Sequence, residues 1–331
     1  MSTQTRRTFL KKTTLAVAVA SVATKVKAEE KTSGGVEKSK LDGMDLRARR
    51  RAFSEQQPVL EREKCWEIHM LGTSAGSPPT VNNNHTSWVL QKPNGALYMF
   101  DAGEYCSWTA YNLGLNLKRL RHLFLSHPHA DHCAGLPGLI TTIAKMLWLK
   151  SPKKKYSLTV YTSAPKVVEA SQAVITNGGK INWVKTEPLK MGEIYRDKDI
   201  IVEAIGNQHM PTYPDGSPQS YSFRIKIPAI NKTIIFSGDI KSVDELAPFI
   251  NDGGCDLLMV ETGHHYADSI CEVVATNYPN KVKDIMFMHH GINLREDEAF
   301  EKARADAAFG KPVIISHDRQ SFKLSKSEAD A

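Results

Sequence analysis

The sequence predicts a layered α/β fold in which two mixed sheets pack face to face with helices outside. Beyond position 65 short apolar runs broken by Gly, Pro and Asn come first, strand-like and helix-like segments then alternate, and the densest group of histidines falls on a loop that closes a strand. Strands are read at 67–71, 87–90, 97–100 and 122–125, each short and apolar between turn residues. A helix follows at 136–149, with Pro137 in its first turn, where the missing N–H is no loss. The alternation continues as strand 157–161, helix 164–176, strands 200–205, 220–227 and 233–236, and helix 243–250. Strand 256–260, helix 267–277, strand 284–288, helix 295–308 and strand 312–316 complete it. On this pattern alone a doubly wound sheet would serve as well, and the motifs have to decide.

The 331 residues, 41% hydrophobic and 24% charged, exclude a chain disordered throughout. A formal charge of +7 points towards nucleic acid until the charge is located. Arg6, Arg7, Lys11, Lys12, Lys25 and Lys27, unaccompanied by any acidic residue among positions 1–28, carry all but one unit of it. The remainder is nearly neutral, a poor basis for the counterion release that drives nucleic-acid binding, so no nucleic-acid partner is expected. Residues 1–28 combine a basic start, an apolar stretch at 15–23 and the small-residue site Val26-Lys27-Ala28. They resemble a bacterial twin-arginine signal. The apolar stretch is far shorter than the roughly 20 residues a spanning helix needs. The resemblance implies export of the folded protein by the twin-arginine machinery, a periplasmic location and no stable membrane anchor after processing.

Residues 29–64 are charged and poor in aromatics, with a basic run at 47–51, and read as an arm whose expected role is to cover part of a neighbouring subunit in a homodimer. Residues 65–331 form the expected hydrolase domain. The five cysteines are odd in number and show no Cys-x-x-Cys spacing, which argues against a disulfide framework. Cys133 reads as a small buried residue.

The string His127-Pro128-His129-Ala130-Asp131-His132 lies between an apolar strand and a Gly-Leu-Pro-Gly helix entry. In an extended segment alternate side chains face the same way, so His127 and His129 can grip one ion, while Asp131 and His132, past the bend, aim at a neighbouring point. Two adjacent ions therefore become possible. Imidazole and carboxylate suit zinc, iron and manganese alike. Further ligand types stand at three later strand ends: His209, Asp239 in Phe236-Ser237-Gly238-Asp239, and His289.

This order and these contexts resemble the metallo-β-lactamase superfamily, in the branch that holds ribonuclease Z and the arylsulfatases of that fold. Leu71-Gly72-Thr73-Ser74-Ala75-Gly76 is similar to that branch's first-strand loop, Phe100-Asp101-Ala102-Gly103-Glu104 to its Asp-x-Gly-Glu turn, and the segment 132–138 to its helix entry. The resemblance covers roughly 65–318 and implies an αββα sandwich. It also implies that His127, His129 and His209 hold one divalent ion, that Asp131, His132 and His289 hold the other, and that Asp239 bridges two zinc ions. A shared water would then lose its proton near neutral pH and supply the nucleophile. Asp131 is counted among the catalytic candidates as well as the ligands. His264 and His265, in Glu261-Thr262-Gly263-His264-His265, are candidates for protonating a leaving group. His290 competes with His289 for the last ligand position, and Asp101 is expected to orient a ligand rather than bind metal.

Ribonuclease Z also carries a His-Glu-Ala-Thr motif and a long arm for transfer RNA. Here Val260 precedes Glu261, and the span 174–191 leaves no room for such an arm. The expected substrate is therefore a small sulfate or phosphate ester, with a lactonase, a β-lactamase or a non-catalytic metal-binding module as alternatives.

Overall fold

The computed structural model describes residues 65–76, 80, 82–149 and 156–325, with positions 45 and 48. The expected signal peptide and nearly all of the expected arm lie outside the described residues. Two seven-stranded sheets form the centre. The first runs in the order β14 (Ser321–Leu324), β1 (Trp66–Gly72), β2 (Ser87–Gln91), β3 (Leu97–Phe100), β4 (Leu120–Phe124), β5 (Leu158–Thr162), β6 (Val184–Pro188). The second runs β13 (Ile314–Ile315), β12 (Val282–His290), β11 (Cys255–Thr262), β10 (Lys232–Phe236), β9 (Ser220–Ile227), β8 (Ile201–Asn207), β7 (Gly192–Arg196). Strands β3 to β6 are parallel, as are β10 to β13, while the other neighbours are antiparallel.

Strands β1, β2 and β3 are buried along their whole length, as strands covered on both faces must be. Between the sheets lies an aromatic core. Trp88 stacks on Phe100 at 4.3 Å between ring centroids and meets Phe236 of the other sheet edge-on at 5.6 Å. Phe124, Phe223, Met259 and Met286 extend this layer. A second apolar layer lies under α1 (Cys106–Asn112), α3 (Leu136–Leu149) and α4 (Pro165–Thr176). A third lies under α5 (Ala247–Asn251), α6 (Ala267–Asn277), α7 (Ile292–Glu296) and α8 (Glu298–Phe309). Helices outside two facing sheets are the predicted αββα arrangement; α2 (Ala130–Cys133) is a single turn in the histidine loop.

Several boundaries differ from the sequence reading. The expected helix 295–308 is two helices, because Asp297 leaves helical geometry (φ −143°) and its side chain accepts from the Phe300 N–H, starting α8 afresh. Helix 243–250 begins as a 3₁₀ turn before α5, and strand 312–316 shortens to β13. The short helix α1 and the edge strands β6, β7 and β14 are additions. All five cysteines are free thiols, and Cys133 is buried with its thiol pushed up to about 11 by desolvation. Among the described residues no helix is long and apolar enough to cross a membrane.

Candidate metal centre

Both sheets send residues from strand ends to one rim. Strand β4 runs out into Ser126 and the histidine loop; β8, β10 and β12 deliver His209, Asp239 and His289. The ligand-type atoms gather in two main groups, His127, His129, His209 and Asp239 in one, and Asp131, His132 and His289 in the other, each within 4.8 Å, and a third set, Asp239, His264 and His289, overlaps both. In the first group His129 Nδ1 lies 3.0 Å from His127 Nε2 and 3.1 Å from His209 Nε2. The Asp239 carboxylate stands between the groups. Its Oδ2 is 3.7 Å from His127 Nε2, 3.5 Å from His209 Nε2 and 3.3 Å from His289 Nε2, and its Oδ1 is 3.2 Å from His132 Nε2. Asp131 Oδ2 is 3.6 Å from His132 Nε2 and 4.0 Å from His289 Nε2.

Divalent cations fit this arrangement. The two spacings from His129 Nδ1, 3.0 Å and 3.1 Å, are close to what a tetrahedral ion imposes, since bonds of about 2.0–2.1 Å put nitrogens about 3.4 Å apart. His132 Nε2 and Asp239 Oδ1, both buried, have no hydrogen-bond partner beyond their own 3.2 Å approach, a cost an ion would remove. Burial alone would raise the Asp239 carboxyl, but the imidazoles of His289 and His132 hold it well below the usual range. Burial disfavours charge on His132 too, yet Asp239 and Asp101 hold its pKa well above the ordinary histidine value. Burial, aided by the neighbouring His132, pushes His127 well below it. Burial also lowers His209. Asp131 stays lowered against its own burial, through His132 and His289 and the Gly76 N–H, which donates to its Oδ2 at 2.8 Å.

The ring orientations are set behind the ligands. Asp101, fully buried, accepts from the Ser126 N–H at 2.7 Å with Oδ1, and Oδ2 accepts from Ser126 Oγ at 2.9 Å and from His132 Nδ1 at 2.8 Å. Because the Ser126 proton goes to Asp101, its oxygen is free to accept from His127 Nδ1 at 3.0 Å. With ions in place of any proton on Nε2, both rings would keep the proton on Nδ1 and turn Nε2 to the cluster. Asp101 (φ 56°) and His289 (φ 50°) hold left-handed backbone, conformations retained where the surroundings determine them. His290 faces away, with Nε2 donating to the Ser316 carbonyl at 2.7 Å, which leaves His289 at the cluster.

A cavity of about 270 Å³ opens over the centre, lined by His129, Asp131, His209, Asp239, His264 and His289, with Arg295 at its side. His264 Nδ1 is 2.8 Å from Glu261, a buried carboxylate whose hydrogen bond raises the imidazole above its ordinary value. His265 instead meets the Ile240 carbonyl with Nε2 at 2.9 Å. Sequence reasoning missed Ser126, Thr86 and Arg295. For Ser126 the available signal was a hydroxyl interrupting an apolar run beside His127.

A family model described as Anti-Pycsar protein Apyc1 matches residues 66–311, nearly three-quarters of the chain. The chain belongs to the Anti-Pycsar protein Apyc1 family. Among curated proteins this Apyc1-family chain is similar to ribonuclease Z of Shouchella clausii (strain KSM-K16), 30% identical over 164 residues, 48% of each chain. It spans about half the length of that relative. Among solved structures it is similar in fold to the short form of human tRNase Z (TM-score 0.57, 17% identity, 78% of this chain and 99% of that one). The metallo-β-lactamase fold protein YhfI of Bacillus subtilis gives the same score at 16% identity over 78% and 99%. The Apyc1-family chain therefore has the metallo-β-lactamase fold, and its expected site residues lie on the rim described above.

Proposed function

We propose that the protein is an exported, dinuclear metal-dependent hydrolase of a small anionic ester, a phosphodiester first and a sulfate ester second. The observation that carries this reading is the pair of ligand clusters sharing Asp239 beneath a cavity that also holds Arg295. When bound, two zinc ions would polarise an ester oxygen and activate water near neutral pH. His127, His129, His209 and Asp239 would hold one, and Asp131, His132, His289 and Asp239 the other. Arg295 donates to Ser74 Oγ at 2.9 Å and, among the described residues, forms no ion pair with a carboxylate. A guanidinium held at the cavity wall favours a substrate with negative charge, which neutral lactones lack. His264, steadied by Glu261, would donate the proton to the leaving oxygen, and Asp131 would be a ligand of the second ion.

Relatives named ribonuclease Z favour the phosphodiester as the bond class and stand against the expectation of no nucleic-acid partner. A cavity of this size and only three residues between β6 and β7 favour a small substrate over a folded RNA. The test is turnover of an aryl phosphodiester, an aryl sulfate, a lactone, a β-lactam and a transfer-RNA precursor by the zinc-loaded chain from residue 29, with Asp239→Ala as blank. Metal-dependent turnover of the diester or sulfate is expected. Cleavage of the RNA alone, or of the lactone or β-lactam alone, would overturn the reading.

A further inference from the structure

The ring of His289 is pinned on two sides. A side chain at position 263 would stand 2.6 Å from its Cδ2, a place left open by Gly263. On the other side its Nδ1 is 2.6 Å from the hydroxyl of Thr86, a fully buried residue at the entry to β2 that is not itself a metal-ligand type.

We infer that Thr86 is a positioning residue which fixes His289 in the tautomer able to bind the second ion, a reading that rests on the metal centre proposed above. The argument is a proton count. A threonine hydroxyl has one hydrogen and two acceptor sites. Thr86 Oγ1 has two close partners, the Ser74 carbonyl at 3.1 Å and His289 Nδ1 at 2.6 Å. The carbonyl can only accept, so satisfying both contacts sends the hydroxyl proton to Ser74 and requires the ring to donate from Nδ1. Nε2 of the neutral ring then carries the lone pair, and it is the atom 3.3 Å from Asp239 and 4.0 Å from Asp131. The reverse assignment would put a proton on Nε2, in the position an ion needs, and would leave this contact to the Ser74 carbonyl without its donor. Ser126 uses the same relay for His127, passing its proton to Asp101 and accepting from the ring. Thr86 differs in that its acceptor is a neutral carbonyl on the Ser74–Gly76 segment, the segment whose Gly76 N–H holds Asp131. One hydroxyl thereby ties the orientation of His289 to the loop that steadies a second ligand of the same ion.

Two measurements test this. Nitrogen-15 spectra of the metal-free wild-type chain, with the His289 ring assigned by its loss in His289→Gln, should show a proton on Nδ1. Chelator competition with zinc should show Thr86→Val holding the first ion as wild type does and the second about 10- to 100-fold more weakly, while Thr86→Ser restores wild-type binding. A wild-type ring with no proton on Nδ1 would overturn the inference, and so would equal affinity for the second ion in Thr86→Val and wild type. A wild-type chain that bound no zinc would instead sink the metal reading, and the tautomer spectrum would still decide the role of Thr86.

Discussion

Asp101→Asn changes one oxygen for a nitrogen, yet the hydrogen-bond geometry makes it reach both proposed ions. The backbone at 101 is left-handed with φ 56°, a conformation asparagine accepts as readily as aspartate, so the fold has no reason to change. The asparagine carbonyl can keep the Ser126 N–H at 2.7 Å, which puts its amide NH₂ where Oδ2 stood, facing Ser126 Oγ and His132 Nδ1. Neither contact survives with its present proton. His132 must accept, moving its proton to Nε2, and the Ser126 hydroxyl, no longer able to donate to residue 101, turns its proton to His127 Nδ1. One ligand in each cluster then presents N–H where a lone pair is needed. Loss of such support typically costs about 10- to 100-fold in metal affinity, or about 1.4–2.7 kcal/mol. Both dissociation constants should rise by that factor in chelator competition, and turnover should fall with occupancy while circular dichroism stays unchanged. Wild-type affinity for both ions in Asp101→Asn would refute the tautomer argument; loss at only one would show that Ser126 does not relay.

Asp239→Ala should leave the fold intact, lose both ions by elemental analysis and abolish turnover, because its carboxylate faces both clusters. His264, raised above the ordinary histidine value by Glu261, should give a rate that falls as pH rises through that raised pKa. Glu261→Gln should shift this limb to lower pH, read from the pH profile of kcat/KM. Trp88→Ala should cost about 3–5 kcal/mol in urea unfolding, since it removes a fully buried ring from between the sheets. Arg6→Lys with Arg7→Lys should trap unprocessed chain in the cytoplasm, seen by fractionation and immunoblotting; normal accumulation outside would argue against the twin-arginine route.

The central strands were legible in the sequence because burial on both faces makes them continuous apolar runs; 97–100 and 220–227 fall where β3 and β9 lie, and helix 267–277 matches α6. The edge strands β6, β7 and β14 were not, since they are largely exposed and read as mixed polar residues, with Pro188 closing β6. Helix α1 escaped for a different reason. It starts from Tyr105 in left-handed conformation with no side-chain cap, so the usual Ser, Thr, Asp or Asn signal is missing. At the site, imidazoles and carboxylates announce themselves by type and spacing. The hydroxyls of Ser126 and Thr86 do not, because what they do depends on which neighbour takes their single proton and which gives them another; the ring Thr86 meets lies 203 residues away, and the carboxylate that takes the Ser126 proton lies 25 away.

The origin of the ligands in two different sheets has a consequence for how the molecule comes apart. The 127–132 segment belongs to one layer, and His209, Asp239 and His289 belong to the other, so ions held by both would act as a clasp across the seam. Pulling the layers apart at this rim would then mean breaking coordination bonds, and releasing an ion would mean loosening the seam. Ion affinity would add directly to resistance to unfolding, with a free ion at a thousand times its Kd contributing about 4.1 kcal/mol to the folded state. Much of the chain's endurance would then reside in its surroundings, in the supply of a metal, rather than in its amino acids alone.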